Sequence, residues 1–402
     1  MRTYTQTHPW ISFQLDLRHA PYTLWLMLGE CQSKCEHVAR VPLRPDTANK
    51  LYQIYLAKGI LATTAIEGNT LSEEEVLKHL EGTLKLPPSR EYLSREIDNI
   101  LRGCNETLDL IGKGEAPAIS PDSIRHLNEV VLDGLDLEED CVPGQLRRHS
   151  VTVGGYRGAP AGDCERLLQK LCDWLNRDLN PPQDPKQDLT IAYAILRAVM
   201  AHLYIAWIHP FADGNGRTAR LLEFQILMGA GVPAASAHLL SNHYNATRTE
   251  YYRRLSGAGR SGGDVVPFLL YAVQGFLDNL KQQIDTIWIQ QWELAWQNYV
   301  HEQFRDKPSE SSTRQRRLVI DLSRQQSPVL RVRIPEISPR LARAYANRTP
   351  KTLARDLNAL CATGLIAETP QGYRACKERI LAFQPQRAGA CLDPQGILPS
   401  SR

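Results

Sequence analysis

The sequence predicts a mainly α-helical chain, interrupted once by a β-hairpin and followed by a small α+β unit. Apolar residues recur at three- and four-residue spacing through 47–65, 72–80, 92–111, 122–132, 164–177, 188–207 and 217–228, the period of amphipathic helices. Ser150 to Gly155, SVTVGG, instead alternates β-branched and small residues and ends in paired glycines, which reads as a short hairpin. Composition then shifts at RDKPSESSTRQRR, Arg305 to Arg317, a polar and charged stretch that reads as a linker into the last compact unit.

A length of 402 residues exceeds one ordinary core and implies two or three domains. With 43% hydrophobic and 23% charged residues the balance is that of a soluble globular protein. The net charge of +3 is too small to argue for nucleic-acid binding without a local basic patch. No signal-peptide pattern follows Met1, so a cytoplasmic location with no membrane partner is the expectation. Ile191 to Ile208 is the most apolar run, but Arg197 and His202 interrupt it, and it reads as a central buried helix. The nine cysteines include no CxxC pair. Cys31 and Cys35 read as buried reduced thiols rather than metal ligands.

In chain order, 1–115 is expected to be a helical region containing a helix over 50–69. The core follows over 116–280, with the hairpin segment at 144–160. A helical linker is expected over 281–313, the α+β unit over 314–385 and a loose tail over 386–402. Trp288, Trp292 and Trp296, at i, i+4 and i+8, read as a packing stripe.

The chemistry concentrates in His209-Pro210-Phe211-Ala212-Asp213-Gly214-Asn215-Gly216-Arg217-Thr218-Ala219-Arg220. Asp213 to Gly216 read as a tight turn opening a helix, where exposed N–H groups make an anion site. Arg217 and Arg220, at i and i+3, can converge there. Asp213 supplies a hard oxygen ligand, and His209 stands ready to take a proton. The parts describe a polyphosphate cradle with a base beside it.

This string resembles the signature of the Fic family, HxFx[D/E]GNGRxxR. The resemblance implies a helical Fic domain with a β-hairpin flap that transfers AMP from ATP to a Tyr, Thr or Ser hydroxyl of a target protein or of itself. His209 would be the base and Asp213 the Mg²⁺ ligand. Gly214, Asn215 and Gly216 would bind phosphate through backbone and amide N–H groups, with Arg217 at the β- and Arg220 at the γ-phosphate. Phe211 would pack, and His202 would orient the loop. LSNHYNATRTEYYRRL (239–255) resembles the segment that builds the nucleoside pocket, so Tyr251 or Tyr252 either faces adenine or serves as a core aromatic.

Thr63-Thr64-Ala65-Ile66-Glu67-Gly68-Asn69 ends the helix over 50–69, with Gly68 as a natural stop. Glu67 therefore sits where the helix dipole disfavours a carboxylate by ~0.3–1 kcal/mol, which asks for a cation. Arg220 is the candidate. The segment resembles the family's inhibitory motif [S/T]xxxE[G/N]N through Thr63, Glu67, Gly68 and Asn69; the other reading is a plain helix end followed by an N-cap at Thr70 or Ser72.

Gly144 to Gly155, with Val151, Thr152 and Val153 at its centre, resembles the family's flap, which receives the target by strand addition; a purely structural hairpin is the other reading. After Asn347-Arg348-Thr349-Pro350, Thr349 can cap a helix striped by Leu353, Leu357 and Leu360, and a two-strand wing follows Gly364. This resembles the small α+β winged helix-turn-helix domain at the C-terminus of several Fic proteins. Arg348, Lys351 and Arg355 could face DNA, although Asp356 interrupts their face. Such modules also serve in dimerisation and target docking, so a homodimer is a further expected assembly. The competing functions are transfer of another phosphate-linked group, removal of AMP, and a nucleotide-sensing DNA-binding regulator.

Overall fold

The structure, a computed structural model, describes residues 3–115, 118–180 and 188–381. The tail expected over 386–402 lies outside the described residues. The chain divides into two units, Met1–Asp285 and Thr286–Arg402.

Unit one is helical. Its elements are α1 (Tyr4–Thr7), α2 (Tyr22–Arg40), α3 (Pro45–Ala65), α4 (Glu73–Leu80), α5 (Glu91–Gly112), α6 (Pro121–Leu132), α7 (Cys164–Arg177), α8 (Thr190–Ile208), α9 (Asn215–Gly229), α10 (Leu239–Ala246), α11 (Arg248–Arg260) and the first part of α12 (Val266–Gln303). The hairpin is β1 (Thr152–Val153) paired antiparallel with β2 (Tyr156–Arg157), turning at Gly154-Gly155. Helices α8 and α9 are the centre, flanked by α2 and α7 on one and by α5 and α6 on the other. Burial explains the composition of α8. It is apolar on nearly every face because neighbours cover nearly every face. It is also long and apolar enough to cross a membrane, yet 83% of its most apolar window is buried inside the fold.

Helix α3 lies against α10, α4 and α5. Gly59 makes that approach possible, since a Cβ there would stand 2.2 Å from the His238 ring. Ser72 caps α4 through a reciprocal bond with Glu75, so the chain after α3 restarts at once as a new helix. Cys31 and Cys35 are buried thiols, and burial pushes the Cys35 thiol up to about 12.

Unit two contains the rest of α12, then α13 (Glu310–Leu322), α14 (Pro339–Tyr345), α15 (Pro350–Ala362) and the antiparallel pair β3 (Ile366–Thr369) and β4 (Gly372–Ala375). Val329 adds an isolated bridge to Tyr373. Leu353, Leu357 and Leu360 all face its core. Here three expectations need correction. The linker expected at 281–313 is not a separate element, because Trp296, Val300 and Phe304 are core residues of this unit and α13 begins at Glu310. The polar residues from Glu310 on form the first turns of α13, where Arg314 and Gln315 reach the buried Asp356. Asp356 does not interrupt a surface; it is buried, accepting hydrogen bonds from Arg314, Gln315 and Tyr345. Thr349 occupies the N-cap position of α15, but its side chain makes no capping bond. Trp288 and Trp292 stack at 5.1 Å, as packing predicts.

Candidate active site

Helix α8 ends at His209, whose backbone turns left-handed (φ 50°), a region costly for a residue with a Cβ. Surrounding contacts hold it there. Arg147, buried just before the hairpin, donates from Nε to the His209 carbonyl at 2.6 Å and from Nη1 to that of His149 at 2.6 Å. Its Nη2 donates to the Ala159 carbonyl, and its own N–H bonds the Pro210 carbonyl at 3.0 Å. One guanidinium thus pins the base of the hairpin to the loop that presents His209. Gly158 completes the fit, since a Cβ there would stand 2.9 Å from that of His209. Burial, with the Arg147 charge beside it, brings the imidazole down to about 4. It is neutral near pH 7 and able to accept a proton.

Gly214, itself left-handed, is the N-cap of α9. Asn128 on α6 holds the turn, donating to the Asp213 carbonyl at 3.0 Å and accepting from the Gly144 N–H at 3.0 Å. Phe211 is buried, as expected. Asn215 departs from expectation. Its side chain accepts from the Phe211 N–H at 3.0 Å and donates to the Phe211 carbonyl at 2.9 Å, so its amide is spent on the loop and only its main chain faces the anion site.

The two arginines do not converge on one acceptor. Arg217 donates from Nη1 to Glu96 of α5 at 3.0 Å and from Nη2 to Asp213 at 3.1 Å. Arg220, wholly buried, donates from Nη2 to Glu67 Oε1 at 2.5 Å and to the Thr63 carbonyl at 2.9 Å. Its Nε and Nη1 have no acceptor among the described residues. The Glu67 carboxylate also lies against the first turn of α9: a Cβ on Gly216 would be 2.2 Å from Oε1. It therefore packs directly against the start of that helix. Burial pushes the Glu67 carboxyl up, but the Arg220 charge and hydrogen bond outweigh this and hold it below the ordinary range.

The rest of the motif around Glu67 builds its turn. Thr63 bonds back to the Gly59 carbonyl, Gly68 turns with φ 109°, and Asn69 accepts from the Leu71 N–H at 3.0 Å. From α11, Arg248 donates to the Ala65 carbonyl at 2.5 Å, satisfying the end of α3.

A cavity of about 450 Å³ opens beside His209, lined by Ile66, Glu67, Val153, Tyr156, Gly216 and Tyr252 among others. Tyr251 is buried and shares a 2.8 Å hydrogen bond with His202, while Tyr252, 46% exposed, forms open wall. His202 does not orient the loop: its partners are Tyr251 and, at 3.1 Å, Glu223. Val153 is 51% exposed at the cavity rim, next to Thr152, whereas Val151 bonds Gly158 through its carbonyl at 3.1 Å. Arg147, Asn128 and Glu96 were not singled out from sequence. Nothing in spacing marks them, because their partners lie 62, 85 and 121 residues away.

The site thus joins the start of a helix to two buried arginines and a neutral histidine within a helical domain. The chain carries a Fic/DOC-family domain, with residues 118–227 matching that family's model. It is similar to protein adenylyltransferase fic-1 of Caenorhabditis elegans, 33% identical over 56% of this chain and 42% of that protein. Protein adenylyltransferase Fic of Nematostella vectensis is 29% identical over 62% of this chain and 53% of that protein. The chain thus spans about half the length of these relatives. Among solved structures, C. elegans Fic-1 aligns with a TM-score of 0.51 at 28% identity, over 66% of this chain and 73% of that one. A Fic family protein from Desulfovibrio desulfuricans G20 aligns with 0.53 at 21% identity, over 91% and 97%, which shows the fold alone.

Proposed function

We propose that this protein is a protein adenylyltransferase restrained by its own Glu67. The observation that carries the reading is the Glu67–Arg220 pair at 2.5 Å, seated at the start of α9 in the place a phosphate would take. The relatives named protein adenylyltransferase support it.

In the released enzyme the cavity takes ATP, with Tyr252 beside the nucleoside. Main-chain N–H groups of Gly214 to Gly216, with Arg217 and Arg220, bind the phosphates. A hydroxyl of the target attacks the α-phosphorus, and His209 takes its proton. The new O–P bond replaces the bridge to the β-phosphate, whose oxygen leaves with the electron pair as pyrophosphate. Asp213 fits Mg²⁺: its carboxylate is 54% exposed at the turn, and a hard oxygen shared with substrate phosphates suits an ion that keeps much of its water. Bound there, the ion would neutralise phosphate charge. Val151, Thr152 and Val153 would meet the target's backbone along the outer edge of β1.

Glu67→Gly protein incubated with α-labelled ATP should label itself, and the additional His209→Ala change should abolish the label. Label from γ-labelled ATP instead would overturn AMP transfer.

We further propose that the C-terminal unit is a winged helix-turn-helix. Support comes from α14 and α15 followed by the β3–β4 hairpin, with Lys351 and Arg355 exposed; Arg348 is already paired with Glu310 at 3.2 Å. Salt-sensitive retardation of duplex DNA would support DNA contact, and no retardation at low salt would sink it.

A further inference from the structure

We infer that Glu96 is a positioning residue that docks the turn bearing Glu67 onto the active site, independently of the Glu67–Arg220 pair. The inference rests on the proposed inhibitory role of that turn and deepens it.

Asn69 is the buried anchor of the turn. Its Oδ1 fixes the turn internally through Leu71, while its amide reaches α5, donating to the Leu93 carbonyl at 3.0 Å and to Glu96 Oε2 at 2.8 Å. The other oxygen of Glu96 accepts from Arg217 at 3.0 Å. One carboxylate therefore joins the turn to an arginine of the motif helix. The Glu96 side chain is 15% exposed and that of Arg217 6%, so their contact is largely shielded from water. Burial also raises the Glu96 carboxyl, and the Asn69 amide and the Arg217 charge act against that rise.

The consequence is a coupling. A nucleotide that draws Arg217 toward its phosphates takes it from Glu96, and Glu96 then holds Asn69 less well. By linkage, anything that frees the turn eases capture of Arg217 to the same degree. Glu67 and Glu96 thus restrain the two arginines separately, and only Glu96 does so through a contact with the turn's own anchor.

Hydrogen exchange on the full-length protein, without nucleotide, tests this at the amides of Glu67, Gly68 and Asn69, which bond the Thr64 and Ala65 carbonyls. Glu67→Gly should leave the Gly68 and Asn69 amides close to parental exchange. Glu96→Gln and Asn69→Ala should each speed exchange of all three by roughly tenfold or more. Both should also raise self-labelling from α-labelled ATP although Glu67 is intact, whereas loss of a merely structural residue would lower it. If Glu96→Gln loosens α8 and α9 as well, Asn69→Ala, which keeps the Glu96–Arg217 pair, decides. Parental protection in Asn69→Ala, release by Glu67→Gly alone, or exchange without a rise in labelling overturns the inference. Absence of label in every variant, Glu67→Gly included, sinks the transferase reading instead, and the exchange rates still decide the docking.

Discussion

At the scale of single residues, the proposed transfer requires His209 to be neutral. Its ordinary value near 6.5 is brought down to about 4 by burial and the Arg147 charge. A base works only unprotonated, so the self-labelling rate of Glu67→Gly protein should stay level from pH 8 down to roughly pH 5, where an ordinary histidine would already be mostly charged. A rate that halves near pH 6.5 would contradict this. Arg147 should matter for stability, because its loss strips bonds from the His209, His149 and Ala159 carbonyls together. Arg147→Met should cost about 2–4 kcal/mol in urea unfolding. The twelve-residue motif made His209, Asp213 and the arginines legible in sequence, because the family string is contiguous. It could not show that Asn215 spends its amide on Phe211, since a side chain's bonding partner is a matter of loop conformation rather than spacing.

At the scale of elements, α3 is positioned by close packing. A methyl group at Gly59 would overlap the ring of His238, itself stacked on Phe224 at 4.5 Å. Gly59→Ala should therefore destabilise the protein by about 1–3 kcal/mol, read as a lower urea midpoint. No change would mean that α3 and α10 are less tightly apposed than described. Helical periodicity located α5 and α7 to within a few residues because each buries one face. It placed α3, α8 and α9 as closely, although α8 and α9 are buried on nearly every side. Composition, read on its own, mistook 305–317 for a linker. Helix α13 starts inside it, and its first turns are polar while Leu318, Val319 and Leu322, which anchor it, come later. The hairpin was legible from its paired glycines, but not its clamp, since Arg147 acts through carbonyls that any sequence would supply.

At the scale of the whole molecule, buried histidines set an acid limit. His238, fully buried, is brought down to about 4 by desolvation, as His209 is with Arg147 adding to the effect. Between that value and the unfolded value near 6.5 the unfolded chain binds more protons, so stability falls as pH drops through this window. Each histidine contributes up to about 1.4 kcal/mol per pH unit there. Urea midpoints measured from pH 7 to pH 5 should fall, and His238→Gln should flatten the slope; an unchanged slope would contradict the account. All three scales meet in the proposal that one carboxylate at the end of α3 holds the place of a phosphate at the start of α9. Its most direct measurement is the initial rate of self-labelling from α-labelled ATP with Mg²⁺, parent beside Glu67→Gly. Freeing Arg220 should raise the rate by roughly tenfold or more, the scale of one charge-assisted contact. A Glu67→Gly protein that folds as the parent does and labels no faster would contradict the account.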